Sequence, residues 1–178
     1  MLLFLDTEYT GLGQRSPQLI SLGIVAEDAS REFYIELADT WRTEDCSDFV
    51  RGRVLPLLEG MSLPFLQARA RLRDWFLNAP RAVQIACDSG TDFRFLLELL
   101  GSPLPANLAA TYFDLRPLID TGVYDRTVSN CYQHDNRIHH ALVDARAYRK
   151  GWLAWMDERK AARNLGGRGG DAPLIVGP

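Results

Sequence analysis

The fold is decided by residues 2–37, which read LLFLDTEYTGLGQRSPQLISLGIVAEDASREFYIEL. Leu2–Leu5 is an apolar run that ends at Asp6, which is typical of a buried strand with a carboxylate at its tip. Leu19–Ala26 is apolar enough for a second strand, and Glu32–Leu37 alternates between polar and apolar residues as a third. Because only a short turn-like segment separates the last two runs, we expect an antiparallel meander.

Beyond this meander, the chain alternates between helix and strand patterns. Residues 40–60 are ambiguous, and Ser62 has the character of a helix N-cap. The spacing predicts helices at 62–78, 91–100 and 138–163, strands at 83–87 and 111–115, and an irregular polar segment at 120–137. Three adjacent strands followed by alternating helices and strands predict an α/β fold, a mixed five-stranded sheet with helices on both faces.

Length and composition limit the class of protein. A chain of 178 residues with 47% hydrophobic content fits one domain, which we place at residues 1–163, followed by a flexible Gly-rich tail at 164–178. No apolar run approaches the ~20 residues of a membrane helix, and the apolar start lacks the basic flank of a signal peptide. We therefore expect a cytoplasmic protein. Three widely spaced cysteines argue against a disulfide framework.

The charge balance is compatible with a nucleic-acid enzyme without requiring one. The formal net charge is −3, so a generally basic surface is excluded. All basic residues except Lys150 and Lys160 are arginine, and the guanidinium group binds phosphate in a bidentate manner. A coding bias toward arginine explains this composition equally well, and both interpretations stay open.

Several carboxylates occur where secondary structure would bring them together. Strand alternation points Asp6 and Glu8 to the same face, where they repel each other unless a cation lies between them. Asp92 falls in the first turn of a predicted helix, where an acidic residue is also favoured by the helix dipole alone. Asp144 lies on the last helix, five residues after His139, and together these residues suggest a metal site.

The kind of metal follows from the donor atoms. His134, Asp135, His139 and His140 could instead indicate zinc. Carboxylate oxygens, however, suit Mg²⁺ or Mn²⁺, whereas structural zinc prefers cysteine and histidine. We therefore expect two divalent cations of the magnesium or manganese type.

Three segments carry a family resemblance: FLDTEYTGL at 4–12, ACDSGTDFRFL at 86–96 and HHALVDA at 139–145. In this order they resemble the three motifs of the DEDDh exonuclease superfamily, which includes ribonuclease T, oligoribonuclease and the proofreading subunit of bacterial DNA polymerase. The first and third motifs are complete. The middle one departs from the pattern, because Asp88 and Thr91 stand where the family has a small polar and an apolar residue. The segments LISLGIVAED and REFYIEL are similar to compact bacterial exoribonucleases.

The resemblance implies a ribonuclease H-like fold with three antiparallel strands followed by two parallel ones. It implies a 3′-to-5′ exoribonuclease that acts on single-stranded RNA 3′ ends and releases nucleoside monophosphates by a two-metal mechanism. The residues implied are metal ligands Asp6, Glu8, Asp92 and Asp144, general base His139, and terminal-nucleotide contacts Tyr9, Thr10 and Leu12. His140 occupies a variable position of the motif, and whether Asp88 joins the ligands is left open.

Two alternatives to this function remain at the level of sequence. A DNA 3′-to-5′ exonuclease of proofreading or repair type would carry the same motifs, since the choice of RNA depends on a contact to the 2′-OH. A catalytically inactive module that binds nucleic acid or protein is the other. Related exoribonucleases are often dimers, and the four tryptophans exceed what a small core needs, so we also predict a homodimer.

Overall fold

Six strands form one mixed sheet in the computed structural model, which describes residues 1–166. The sheet order is β4-β3-β2-β1-β5-β6. Strands β1, β2 and β3 pair antiparallel, while β4, β5 and β6 each join in parallel. The bounds are β1 Leu2–Tyr9, β2 Leu19–Ala26, β3 Glu32–Leu37, β4 Ser62–Leu63, β5 Gln84–Cys87 and β6 Phe113–Asp114. The predicted α/β class with a mixed sheet is confirmed.

The prediction of five strands is wrong because β4 adds a short edge strand beside β3. The Glu36 carboxylate accepts hydrogen bonds from the backbone N–H groups of Glu59 and Gly60, which draws this segment to the end of β3. The Ala38 N–H then donates to the Leu63 carbonyl at 2.9 Å. Ser62 is therefore part of a strand rather than the N-cap expected from the sequence.

Helices cover both faces of the sheet. They are α1 Asp48–Arg53, α2 Phe65–Leu77, α3 Gly90–Leu100, α4 Arg116–Ile119, α5 Gly122–His134 and α6 Ala141–Gly166, with 3₁₀ turns at Thr43–Asp45 and Leu55–Leu57. Leu3 and Leu5 belong to the core shared with α2 and α3. Phe4, which points to the opposite face, packs in a second core with Trp152 of α6 and Tyr124 of α5.

The expected irregular segment at 120–137 is mostly helical, so that prediction is wrong. Its composition is polar, but Tyr124 and Val128 of α5 pack against the core formed with α6. This narrow apolar stripe becomes a helix face only because α6 lies alongside to cover it. The last helix begins at Ala141, three residues later than expected, because His139 has a backbone φ of 75° that a helix does not tolerate.

The C-terminal end of the last helix differs from the end predicted at residue 163. Helix α6 continues to Gly166, and residues 167–178, which make up most of the tail predicted at 164–178, lie outside the described part. None of the helices described is long and apolar enough to cross a membrane.

All four tryptophans, Trp41, Trp75, Trp152 and Trp155, pack against the cores of the single chain. They therefore give no support to the predicted homodimer, which stays a prediction.

Candidate metal centre

Strand β1 carries the first two predicted ligands to its C-terminal end. The strand runs on to Tyr9, beyond the tip expected at Asp6. Phe4, Asp6 and Glu8 alternate onto the face covered by α6, so the apolar core gives way to carboxylates along one strand. Asp6 lies opposite Gly23 of the neighbouring strand β2.

Gly23 allows the N-terminus of α6 to lie directly on the sheet beside Asp6. A Cβ atom at this position would lie 2.3 Å from the Leu142 backbone nitrogen and 2.4 Å from the Ala141 carbonyl carbon. Such separations are impossible without moving the helix, so only glycine permits this contact. The close approach is what brings Asp144, in the first turn of α6, to the carboxylates of β1.

Helix α3 supplies the third part of the site. Its N-cap is Ser89, whose hydroxyl accepts a hydrogen bond from the Thr91 N–H at 3.1 Å. Asp92 is buried in the first turn. The hydroxyl of Thr7 donates to Asp92 Oδ1 at 2.5 Å, which orients that carboxylate.

The predicted ligands fall into two groups of converging side chains. Glu8, His139 and Asp144 form one group, and Asp6, Asp88 and Asp92 form the other. Within each group, one donor atom of every residue lies within 4.8 Å of the others. Asp88, whose participation the sequence left open, therefore lies among the possible ligands.

Without a bound ligand, the carboxylates of this site repel one another and lose their hydration. Burial, reinforced by the neighbouring carboxylates, raises the pKa of Asp6 well above its usual value and the pKa of Glu8 to about 8. Burial likewise raises the pKa of Asp92 to about 7 and that of Asp144 to about 6. Asp144 Oδ1 is buried and accepts no hydrogen bond from the described residues. A bound cation would remove the repulsion and satisfy this oxygen.

The cavity around these groups has a volume of about 530 Å³, and the charged side chains that line it are acidic. Its described lining includes no lysine or arginine, while five carboxylates line it: Asp6, Glu8, Asp88, Asp92 and Asp144. The Tyr148 hydroxyl also reaches the site and donates a hydrogen bond to Asp6 Oδ1 at 3.3 Å. Oxygen donors of this kind suit hard divalent cations such as Mg²⁺ or Mn²⁺.

His139 lies at the edge of the cavity in a strained turn. Its backbone φ of 75° is uncommon for a residue with a side chain, and its N–H donates to Asp144 Oδ2 at 3.0 Å. Its ring contacts Phe49 edge-on, with the centroids 4.9 Å apart. Burial, assisted by the positive charge of Arg53, lowers the pKa of His139 below its usual value. The lowered pKa favours the neutral imidazole, which can accept a proton.

The adjacent histidine has a different environment. His140 is buried, and its ring stacks on Tyr34 with the centroids 4.5 Å apart. Its Nε2 lies 3.4 Å from a carboxylate oxygen of Glu59, away from the carboxylate cavity. The structure thus separates the two histidines: His139 borders the cavity, whereas His140 is buried outside it.

Of the three residues expected to contact the nucleotide, two line the cavity and one does not. Tyr9 and Leu12 line the cavity, and the Leu12 side chain is 87% exposed. Thr10 is fully buried and does not line it. The Thr10 N–H donates to the Gln18 carbonyl, and its own carbonyl accepts from the Ser47 N–H, so its backbone is already engaged. Thr10 holds the loop, while its neighbours face the cavity.

Phe49 and Ile138 were missed at the level of sequence. Phe49, on α1, is 55% exposed and Ile138 is 43% exposed, and both line the cavity. Phe49 falls in the stretch left ambiguous by its pattern, where a single aromatic residue gives no signal of its own. The only local signal was Ser47, two residues earlier, which could have predicted the start of a helix. In the structure, Ser47 caps α1 by accepting a hydrogen bond from the Val50 N–H.

Comparison with known proteins gives no independent assignment. No model of a known protein family matches the chain, and no curated protein matches it significantly. The assignment of a function therefore depends on the motifs and on the geometry of the carboxylate cavity.

Proposed function

We propose that this chain is a metal-dependent 3′-to-5′ exoribonuclease of the DEDDh superfamily, with a ribonuclease H-like fold. One observation carries the proposal: carboxylates from β1, α3 and α6 meet in one cavity beside the imidazole of His139. These residues belong to the three separate sequence segments that resemble the motifs of that superfamily. A structural role alone would not explain three buried carboxylates, Asp6, Asp92 and Asp144, in a cavity whose described lining has no lysine or arginine.

The residues present fit a pair of divalent cations. Asp6, Glu8, Asp92 and Asp144 would hold them, and Asp88 lies close enough to contribute. The unpaired Asp144 Oδ1 and the raised carboxyl pKa values support this fit. When bound, such ions supply Lewis acidity for phosphodiester hydrolysis and stabilise the attacking and leaving oxygens.

His139 is the base of the proposed reaction. As a neutral imidazole at the edge of the cavity, it accepts the proton of the attacking water. The hydrogen bond from its backbone N–H to Asp144 couples its position to the carboxylates, and the edge-on contact with Phe49 limits rotation of its ring. His140 has no part in this step because it is buried against Tyr34.

The entrance of the cavity would bind the terminal nucleotide. Leu12, Phe49 and Ile138 expose apolar surface there, which a nucleobase could cover by stacking or packing. Tyr9 lines the same cavity, but its ring also packs on Phe95, with the centroids 5.4 Å apart. Leu12 and Phe49 are therefore the residues that we assign to the base, ahead of Tyr9.

The experiment that tests this function compares 5′-labelled single-stranded RNA and DNA of one sequence. With Mg²⁺ or Mn²⁺, we expect a ladder that shortens from the 3′ end, with mononucleotides as products and RNA as the better substrate. Excess chelator should stop turnover, and renewed metal should restore it. Full activity without metal, or cleavage inside the chain, would contradict the proposal.

The same assay separates the alternatives. A preference for DNA would point to a DNA exonuclease with the same chemistry. Binding of RNA or DNA without hydrolysis in either metal would point to an inactive binding module. Light scattering of the active sample would test the predicted homodimer, which a particle of the monomer mass, 20.1 kDa, would contradict.

A further inference from the structure

A second cavity lies next to the carboxylate cavity and shares a wall with it. Its volume is about 440 Å³, and both cavities are bordered by Tyr9, Gly11 and Leu12. The remainder of its lining comes from the loop between β1 and β2 and from the start of α3. The exposed Leu12 side chain therefore stands between two neighbouring binding spaces.

The two cavities have opposite charge. Arg15 and Arg94 line the second one, and its described lining contains no carboxylate. Arg94 is restrained by Glu98, at 2.8 Å, and its guanidinium lies over the Phe95 ring at 4.5 Å from the centroid. Arg15 makes no ion pair with any described residue. An arginine without a partner beside a strongly acidic site is available to an anionic ligand.

The loop that forms this second cavity is held in place by its own hydrogen bonds. The Thr10 hydroxyl donates to Gln14 Oε1 at 2.6 Å and accepts from the Gln18 N–H at 3.0 Å. Gln14 Nε2 donates to the Asp45 carbonyl at 2.8 Å, which ties the loop to the segment before α1. The backbone that carries Arg15 is thus ordered before any ligand binds, which lowers the entropic cost of binding.

We propose that the second cavity binds a backbone phosphodiester of the nucleotide next to the terminal one. Arg15 would make the main contact with this phosphate, and Arg94 would lie beside it. This inference rests on the proposed function, since the first cavity must take the terminal nucleotide. Arginine matches phosphate oxygens in bidentate geometry, and the apolar Leu12 side chain separates the terminal base from the neighbouring nucleotide. The phosphodiester can belong to the same strand or to a complementary strand at a paired end.

Substrates of different extent test this inference on the full chain with Mg²⁺. The smallest is the nitrophenyl ester of a nucleoside 5′-monophosphate, which fills the first cavity and has no second nucleotide. The others are a short single-stranded RNA and the same RNA paired to a complement. The variants are Arg15→Ala, Arg94→Ala and the control Arg71→Ala, an exposed arginine of α2 that lines neither cavity.

We expect Arg15→Ala to lower kcat/KM for RNA about tenfold more than for the ester, the size of one lost charge-assisted hydrogen bond. The slope of log binding affinity against log salt should fall by about one, as for one phosphate contact. Arg94→Ala should act in the same direction but less, because Glu98 already neutralises it in part. Arg71→Ala should leave every substrate near wild type.

The outcomes separate the sources of the phosphate and the possible failures. An equal loss on single-stranded and paired RNA assigns the phosphate to the scissile strand, and a loss on paired RNA alone assigns it to the complement. Equal losses on RNA and ester, no loss at all, or the same loss in Arg71→Ala would overturn the inference. If wild type hydrolyses neither ester nor RNA, the proposed function fails. In that case, the salt dependence of RNA binding, measured by fluorescence anisotropy for wild type and Arg15→Ala, would still test whether Arg15 contacts a phosphate.

Discussion

The floor and the rim of the carboxylate cavity reverse the usual distribution of side chains. The floor consists of Asp6, Glu8, Asp88, Asp92 and Asp144, and three of these, Asp6, Asp92 and Asp144, are buried. The rim consists of Leu12, Phe49 and Ile138, which are large, apolar and exposed. In most proteins, carboxylates remain in water and large apolar residues are buried.

Under the proposed function, each region would bind a different part of the substrate complex. The floor is unfavourable in the protein alone, because buried like charges repel, and a cation removes that cost. The rim is unfavourable because it leaves apolar surface in water, and a nucleobase would cover it. In the proposed function, the cations would complete the floor and the terminal nucleotide would complete the rim. Substitutions in the floor and in the rim should accordingly have separable effects.

The largest effect should come from the floor. Asp92→Asn should abolish turnover, because this carboxylate is buried, is oriented by Thr7 and belongs to the motif-like segment. Asp88→Asn is the matched control, and we expect it to retain more activity, because Asp88 lies outside that motif position. Steady-state rates for both proteins, with circular dichroism to verify folding, decide between them. A greater loss in Asp88→Asn would mean that the middle motif is misaligned.

The next effect lies between floor and rim, at His139. His139→Ala should lower kcat by ~10²- to 10⁴-fold, the usual cost of removing a general base. Because burial lowers the pKa of His139, the acid limb of the wild-type pH–rate profile should lie below the ordinary histidine pKa, and it should weaken in the variant. Metal binding should persist, since the carboxylates remain.

The neighbouring histidines serve as controls for this prediction. His134→Ala removes an exposed ring at the end of α5 and should resemble wild type. His140→Ala removes a buried ring that stacks on Tyr34, so its melting temperature should fall while kcat of the folded protein stays close to wild type. A kcat loss in His140→Ala as large as that in His139→Ala would contradict the assignment of His139 as the base.

A smaller effect should come from the rim. Phe49→Ala should weaken RNA binding by roughly 5- to 150-fold, which corresponds to the ~1–3 kcal/mol of one stacked base. Phe49→Tyr keeps the ring and should restore most of the affinity. Leu66→Ala is the control, because Leu66 is also exposed but lies on α2 and does not line the cavity. Equal losses in both alanine variants would remove the rim from substrate binding.

The smallest effect concerns the stability of the metal-free protein. Folding raises the pKa of Glu8 to about 8, that of Asp92 to about 7 and that of Asp144 to about 6, so the folded state holds these protons more tightly than the unfolded state. The stabilisation from this proton binding is complete below the unfolded values near pH 4 and is lost as pH rises through the folded values. Without metal, the melting temperature should therefore fall between pH 5 and pH 8.

Magnesium should reverse this trend. Because the proposed site would bind Mg²⁺ through ionised carboxylates of the folded state, Mg²⁺ should raise the melting temperature more at pH 8 than at pH 5. Asp92→Asn, which removes one titrating group, should show a weaker dependence on both pH and Mg²⁺. Differential scanning calorimetry measures all of these quantities. A metal-free protein that grows more stable from pH 5 to pH 8 would contradict the charge arrangement of the floor.

Much of this architecture was predictable from local patterns. The bounds of β2 and β3 agree with the apolar run and the alternating run that predicted them. The placement of Asp6 and Glu8 on one face follows from strand geometry alone. The side chains named as ligands do converge, because each stands at a strand end or a helix start, where local sequence signals are strong.

The misses have a common physical cause. The two-residue strand β4 exists because Glu36 binds the backbone N–H groups of residues 59 and 60, a contact that no local pattern reveals. Helix α5 has a stripe too narrow to be recognised until α6 covers it. Phe49 reaches the cavity only because Ser47 ties the start of α1 to the carbonyl of Thr10.

The sequence by itself therefore determined the class of fold and the acidic side chains available to the candidate site, because strand alternation, helix starts and acidic motifs are local properties. Tertiary structure alone decided which side chains share a space. Gly23 admits α6 to the sheet and thereby joins Asp144 to Asp6. The turn at His139 and the burial of His140 give neighbouring identical residues different environments. These outcomes depend on contacts between residues distant in the chain, which only packing can specify.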